Sequence, residues 1–142
     1  MPDIIDAKEK EYLYIQTSQI PNAGNGLFTS INIFKDEIIS IFKGETLTDK
    51  EAAKRAKNNE DGYFINMLDG TILDSKNVSC FAKYANDSQG LKKLHHPYNA
   101  EIGLNDEEKV CLIAIKKIKS GEEIFCSYGK KYWAKFKKQH SK

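Results

Sequence analysis

The residues in this chain best suited to chemistry are gathered in one stretch, Glu122 to Trp133, which reads Glu-Glu-Ile-Phe-Cys-Ser-Tyr-Gly-Lys-Lys-Tyr-Trp. A thiol (Cys126), two phenols (Tyr128 and Tyr132) and an indole (Trp133) follow the turn Lys119-Ser120-Gly121. The first half is β-favouring and bounded by a glycine turn, which predicts a strand, and Gly129 breaks that strand. A tyrosine hydroxyl at a strand end, beside a chain break and among aromatics, suits a pocket where a polar group must be oriented. The same pattern suits an amphipathic strand end packed in a core, and the stretch alone leaves both readings open.

A second chemically suggestive segment is Ile20-Pro21-Asn22-Ala23-Gly24-Asn25-Gly26-Leu27-Phe28. A Gly-x-Gly backbone can turn sharply and approach a ligand closely. It lacks the third glycine and the following helix of a dinucleotide fingerprint, and a plain glycine-rich turn would read the same way. Cys80, Cys111 and Cys126 are odd in number and widely spaced. They fit neither a disulfide framework nor paired zinc ligands, and a reducing compartment suits them. A zinc site combining Cys80 and Cys111 with His95-His96 has unsuitable spacing, so no metal is expected.

Composition narrows the classes further. The 142 residues fit one domain with a real core, and 40% hydrophobic with 30% charged content fits a globular chain. No apolar run approaches the roughly 18 residues of a membrane span, and Met1 to Asp6 has no signal-peptide pattern, so an intracellular location, nuclear or cytosolic, is expected. The balance of 22 basic and 20 acidic residues argues against a generic nucleic-acid binder. The six lysines between Lys130 and Lys142 read as a solvated basic tail rather than a nucleic-acid clamp. Asp106-Glu107-Glu108 reads as a hairpin tip, or as an attractant for a basic peptide.

The elements that must position these groups are mostly short strands. Tyr12–Thr17 and Glu37–Lys43 are expected strands, the second ended by Gly44-Glu45. Thr48-Asp49-Lys50-Glu51 is a capping box that predicts a short helix over about Asp49–Lys57, closed by Asn58-Asn59. Gly62–Leu68 and Thr71–Asp74 form a hairpin around Asp69-Gly70. Val78–Ala85 is a helical turn or a buried strand; periodicity does not separate them. Asn99–Leu104 and Val110–Ile115 form another hairpin. The class is therefore mainly β, a β-rich α+β chain, with one short helix and long loops.

Taken in order, these pieces resemble the SET domain of protein lysine methyltransferases over about Tyr12 to Trp133. The turn Ala23–Phe28 resembles the opening Gly-x-Gly motif. Ile41-Phe42-Lys43-Gly44-Glu45 is similar to the strand end before the variable insert, and Gly62-Tyr63-Phe64 with Ile72-Leu73-Asp74 to the hairpin before the signature loop. Tyr84-Ala85-Asn86-Asp87-Ser88 looks like the Asn-His-Ser motif. Asn99-Ala100-Glu101 resembles the segment that follows it, here displaced by an insertion. Gly121 to Gly129 is similar to the closing catalytic motif.

The resemblance implies a single SET domain over 1–142, with a core of about 12–133 and a basic tail of 134–142. Its fold is several small sheets, with a C-terminal segment threaded under an earlier loop like a pseudoknot. It implies S-adenosylmethionine as cofactor and a protein or peptide lysine as substrate, a histone tail being the commonest association. Tyr128 would orient methyl and amine. Ala23, Gly24, Asn25, Gly26, Tyr63, Asn86, Asp87, Tyr132 and Trp133 would hold the cofactor, and Phe42, Tyr84 and Cys126 would line the lysine channel. Asp87 stands where the family usually has histidine. Phe42 replaces a tyrosine common in relatives, and Cys126 replaces a larger aromatic, a pair that would admit di- or trimethylation; Cys126 reads equally as a buried small hydrophobe. The alternative to an enzyme is a catalytically silent SET-like binding module. An exposed sheet edge would make a homodimer easy.

Overall fold

The computed structural model describes residues 3–60, 64–67, 70–86 and 98–127. A one-turn helix, α1 (Glu9–Tyr12), leads into β1 (Leu13–Thr17), which returns as β2 (Asn25–Thr29). Next come β3 (Ile38–Ile41), β4 (Glu45–Leu47), helix α2 (Asp49–Lys57), β5 (Phe64–Asn66) and β6 (Ile72–Asp74). A 3-10 turn (Ala82–Tyr84), β7 (Ala100–Leu104), β8 (Val110–Ala114), β9 (Glu123–Ile124) and β10 (Cys126–Ser127) complete the described chain. The strands form three small sheets, ordered β1-β2-β9, β10-β7-β8-β3 and β4-β6-β5. This is the β-rich class that the alternating short runs predict.

Local chemistry explains most of these elements. The capping box at the start of α2 is formed: the Glu51 amide donates to the Thr48 hydroxyl at 3.2 Å and the Thr48 amide to the Glu51 carboxylate at 3.1 Å. That amide bond holds the Glu51 carboxyl below the usual carboxylate range. Asn59, just beyond the helix, takes the left-handed conformation with φ +60°, which asparagine tolerates better than most residues. Val78–Ala85 resolves as loop plus the 3-10 turn, so this apolar run is not a strand.

Two strands lie where turns were expected. β2 begins at Asn25, inside the glycine-rich segment, because Asn25 and Gly26 pair with Thr17 and Gln16 of β1. β4 begins at Glu45, although Gly44-Glu45 reads as a strand end. After β3 the chain leaves one sheet and joins another, with β4 pairing β6. Gly44 permits the crossing. A Cβ there would run into the Asp74 carbonyl oxygen and approach the Ser75 amide nitrogen at 3.1 Å, both fixed backbone atoms.

Helix α2 is tied to the β4-β6-β5 sheet through one guanidinium. Arg55 donates to Asp74 at 2.8 Å and to both oxygens of Glu45 at 3.2 Å. Asp74 has no exposed surface, so Arg55 supplies the charge a buried carboxylate requires. The hydrogen bonds from Arg55 hold Glu45 below the usual carboxylate range.

The core lies where the sheets meet. Leu27, Ile33, Ile39, Leu112, Ile118 and Ile124 are all 0% exposed. Ile33 and Ile118 are joined by reciprocal backbone hydrogen bonds of 2.8 Å, which tie the chain before β3 to the chain before β9. All three cysteines are buried, and none is in a disulfide.

Two core groups make stability sensitive to alkali. Burial, with Glu9 and Glu37 nearby, pushes the Tyr12 hydroxyl above its ordinary 10.0, and it donates to the Ile39 carbonyl at 2.7 Å. Burial pushes the Cys111 thiol from 9.0 up to about 11. Each binds its proton more tightly folded than unfolded. Their contribution is therefore whole below the unfolded values and is lost as pH rises through the folded ones. Urea midpoints should hold steady from about pH 7 to 8.5 and fall as pH rises beyond 9 towards 11. Tyr12→Phe should flatten part of that fall; a profile that stays level to pH 11 would contradict this account.

Candidate active site

The closing strand assembles the site. β9 pairs with β2, setting Ile124 opposite Leu27 and Glu123 opposite Phe28. One residue later, Phe125 forms a parallel bridge with Asn86, and β10 then runs parallel to β7, with Cys126 opposite Ala100. The Cys126 amide donates to the Asn86 carbonyl at 2.9 Å, while the Asn99 and Ala100 amides both donate to the Phe125 carbonyl at 3.1 Å. The segment from Phe125 to Cys126 is thus held on one side by Asn86 and on the other by Asn99 and Ala100. Those residues flank the connection 87–97, so the closing strand sits between the two ends of that connection, as the expected pseudoknot requires.

Asn99 acts as a side-chain strand partner. Its amide nitrogen donates to the Glu123 carbonyl at 2.9 Å and its amide oxygen accepts from the Phe125 amide at 2.8 Å. Asn99 is buried, and with both functions paired it avoids the cost of an unsatisfied buried polar group.

Glu123 holds the other face. It is 2% exposed, and its carboxylate accepts from the Ser18 hydroxyl at 2.6 Å, the Gln19 amide at 2.7 Å and the Asn86 side-chain amide at 3.4 Å. Three donors aimed at one carboxylate replace the water it loses on burial. Asn86 Nδ2 also donates to the Asn25 carbonyl at 3.0 Å. The Ser18 amide donates to the Gly24 carbonyl at 2.8 Å, closing the base of the turn between β1 and β2. The Gly24–Gly26 turn, Asn86 and the closing strand therefore meet at one carboxylate.

The two glycines of the turn do different work. Gly24 has φ +74° and open space where a Cβ would stand. It supplies the conformation and leaves the backbone accessible, beside an exposed Asn25. Gly26 is buried, and a Cβ there would run into the Glu123 carboxylate and come within 3.2 Å of the Ser18 Cβ. Its bare face accommodates the protein's own carboxylate.

The residues expected to line a channel share one apolar cluster. Phe42 is 5% exposed and Cys126 0%, and half-buried Tyr84 packs against the same core. Lys83 places its ammonium 5.5 Å from the centre of the Tyr84 ring. Of the expected site residues, Tyr63, Asp87, Tyr128, Tyr132 and Trp133 lie outside the described residues, as do His95, His96 and the basic tail. Asn99 and Glu123 lay in quoted motifs but carried no assigned role, and Ser18 was not singled out from sequence. Glu123 did carry a signal: in a strand it must share a face with Phe125, and a glutamate on an apolar face demands partners.

This geometry defines a class: a β protein of small sheets whose closing strand is inserted between Asn86 and Asn99 beside a glycine turn. The family model for the SET domain matches residues 24–129. The chain belongs to the SET-domain family. It is 28% identical over 125 residues to the histone-lysine N-methyltransferase EZH2 of Chaetomium thermophilum, covering 79% of this chain and 8% of that protein. It is 28% identical over 109 residues to the histone-lysine N-methyltransferase mes-2 of Caenorhabditis elegans, covering 75% and 14%. The chain thus spans a small part of these relatives.

Among solved structures, it resembles a humanized mutant of the Chaetomium thermophilum Polycomb Repressive Complex 2 bound to the inhibitor GSK126. The TM-score is 0.69 at 25% identity, covering 84% of this chain and 15% of that one. It also shares its fold with the same organism's complex in an autoinhibited conformation bound to S-adenosylmethionine, with TM-score 0.68 at 24% identity, covering 92% and 17%.

Because Gly26 and Glu123 compete for one volume, their substitutions should not add. Gly26→Ala should lower stability by about 1–3 kcal/mol, the usual cost of overpacking a tight site. In a Glu123→Ala background the same change should cost clearly less, and a double-mutant cycle from urea denaturation reads the difference. Strict additivity would show that the carboxylate is not what excludes a side chain at Gly26.

Proposed function

We propose that this chain is an S-adenosylmethionine-dependent protein-lysine N-methyltransferase acting on a lysine of a protein or peptide substrate, a histone tail being the first to test. The observation that carries the proposal is the junction at Glu123, where the glycine turn, Asn86 and the closing strand of a SET-family chain are drawn together. The described half of the cofactor site fits the amino-acid end of S-adenosylmethionine. It offers an open backbone at Gly24, an exposed Asn25, and the Asn86 amide oxygen, which takes no partner among the described residues. These are neutral polar groups, suited to a ligand end carrying both an ammonium and a carboxylate.

When bound, S-adenosylmethionine supplies a methyl group on a sulfonium. The protein's task is then to present a neutral amine in line with it, because an ammonium has no lone pair. A free lysine has a pKa near ~10.4, and apolar surroundings favour its neutral form. Phe42, Cys126 and the ring of Tyr84 would provide those surroundings. Tyr128 would fix the direction of the amine and the methyl group through its hydroxyl. Most of the acceleration would then come from alignment. Asp87, Tyr63, Tyr132 and Trp133 are proposed to complete the cofactor pocket.

Tyr128→Phe separates an enzyme from a silent binding module. Transfer of labelled methyl to histone-tail peptides should fall by roughly 10²–10³-fold, as on removing an orienting polar group. Calorimetric binding of S-adenosylhomocysteine should survive. An unchanged rate would remove Tyr128 from the chemistry, and a wild-type protein that binds cofactor product but transfers no methyl to any substrate would favour the silent module.

The channel residues bear on how far the reaction proceeds. In the proposed channel, a small thiol at Cys126 and an apolar ring at Phe42 would leave room for an amine that already carries methyl groups and would place no hydroxyl of their own on its nitrogen. With excess cofactor and long reaction times, mass spectrometry of the product peptide should show di- or trimethyl-lysine. Accumulation of monomethyl-lysine alone would overturn this.

A further inference from the structure

We infer that Glu123 is a positioning residue for the cofactor: it fixes which way the Asn86 amide faces and so sets recognition of the amino-acid end of the ligand. The inference rests on the proposed cofactor and goes beyond it, because Glu123 itself touches no ligand. Asn86 Nδ2 lies 3.0 Å from the Asn25 carbonyl oxygen and 3.4 Å from the Glu123 carboxylate. A backbone carbonyl and an ionised carboxylate are acceptors only. Both therefore demand the nitrogen of the amide, and the flip of Asn86 is decided by chemistry rather than by convention. The amide oxygen is then turned away from them, as an acceptor for a cationic group such as the α-ammonium of an amino acid.

The rest of the junction holds the Glu123 carboxylate in place. Its Oε1 accepts from the Gln19 amide, and its Oε2 from the Ser18 hydroxyl as well as from Asn86. The Ser18 hydroxyl donates to the carboxylate and in turn accepts from the Ile20 amide at 3.0 Å. Both oxygens of Glu123 must therefore be acceptors. The bare face of Gly26 gives the carboxylate its place. An amide at this position would match the carboxylate in size but carry hydrogens on one side. Glu123→Gln would either oppose the Gln19 amide or set one NH2 group against that of Asn86, which relieves the conflict by turning its oxygen inward.

Two ligands make the test. S-adenosylhomocysteine carries the amino-acid end; 5′-methylthioadenosine keeps the nucleoside and sulfur but lacks both ammonium and carboxylate. In calorimetric titrations, Glu123→Gln should weaken S-adenosylhomocysteine at least tenfold and leave 5′-methylthioadenosine within twofold of wild type. Thermal unfolding without ligand reports whether the variant is folded; if it is not, Ser18→Ala, which removes one donor to the carboxylate, should shift the same ratio in the same direction. Equal loss of both ligands, or no loss of either, would overturn the inference, since a merely structural role cannot separate them. Wild-type protein that binds neither ligand would instead overturn the proposed cofactor, and this inference with it.

Discussion

A carboxylate that is 2% exposed has to be surrounded by donors, and much of the site follows from meeting that demand at Glu123. Its three donors come from the end of β1, from the turn behind it and from Asn86. These are distant in sequence, so the carboxylate can be satisfied only once the closing strand has been laid down. Removing it would strand those donors, at about 1–3 kcal/mol for each one left buried without an acceptor. The same carboxylate explains why the glycine turn has two glycines: Gly24 provides a left-handed bend, and Gly26 provides clearance.

The sheets themselves are too small to fix this geometry alone. β9 and β10 each have two residues and β4, β5 and β6 three each, so backbone pairing gives little cooperativity. Side chains replace it. Asn99 adds two hydrogen bonds to the closing strand, and Arg55 ties α2 to β4 and β6 through a fully buried Asp74. Ser75, next to Asp74, is the only described residue with a buried side-chain polar atom lacking a hydrogen-bond partner. Side-chain nitrogen and oxygen atoms buried among the described residues are otherwise paired, as expected where short strands depend on specific side-chain bonds to define one arrangement.

What was legible in the sequence was whatever local chemistry decides. The capping box at Thr48 and Glu51 located the start of α2, and the hairpin joining β7 to β8 followed from two strand-like runs around a polar turn. The order of motifs gave the family, because six weak signals in sequence are jointly specific. Less legible were features settled by distant partners. β4 and the start of β2 read as turns because glycine dominates locally, yet each pairs with an expected strand in a partnership that no local rule identifies. Glu123 lay in a quoted motif, but its role depends on Ser18, more than a hundred residues earlier. The proposed contacts of Tyr128, Tyr132 and Trp133 rest on motif order alone.

The alternation along the closing strand bears most directly on the proposed chemistry. Ile124 and Cys126 enter the apolar core cluster, whereas Glu123 faces Ser18, Gly26 and Asn86. One short segment thus presents Glu123 to the glycine turn, and Ile124 and Cys126 to the apolar cluster that holds Phe42. Methyl transfer from a sulfonium to lysine needs both environments close together: polar groups for a zwitterionic ligand end, and apolar groups that favour a neutral amine. A helix would spread these side chains over several faces, but a strand with a period of two sets Glu123 apart from Ile124 and Cys126 within four residues. The buried carboxylate and the cysteine are therefore linked by register. Sliding the closing strand by one residue would exchange the two faces and forfeit both at once.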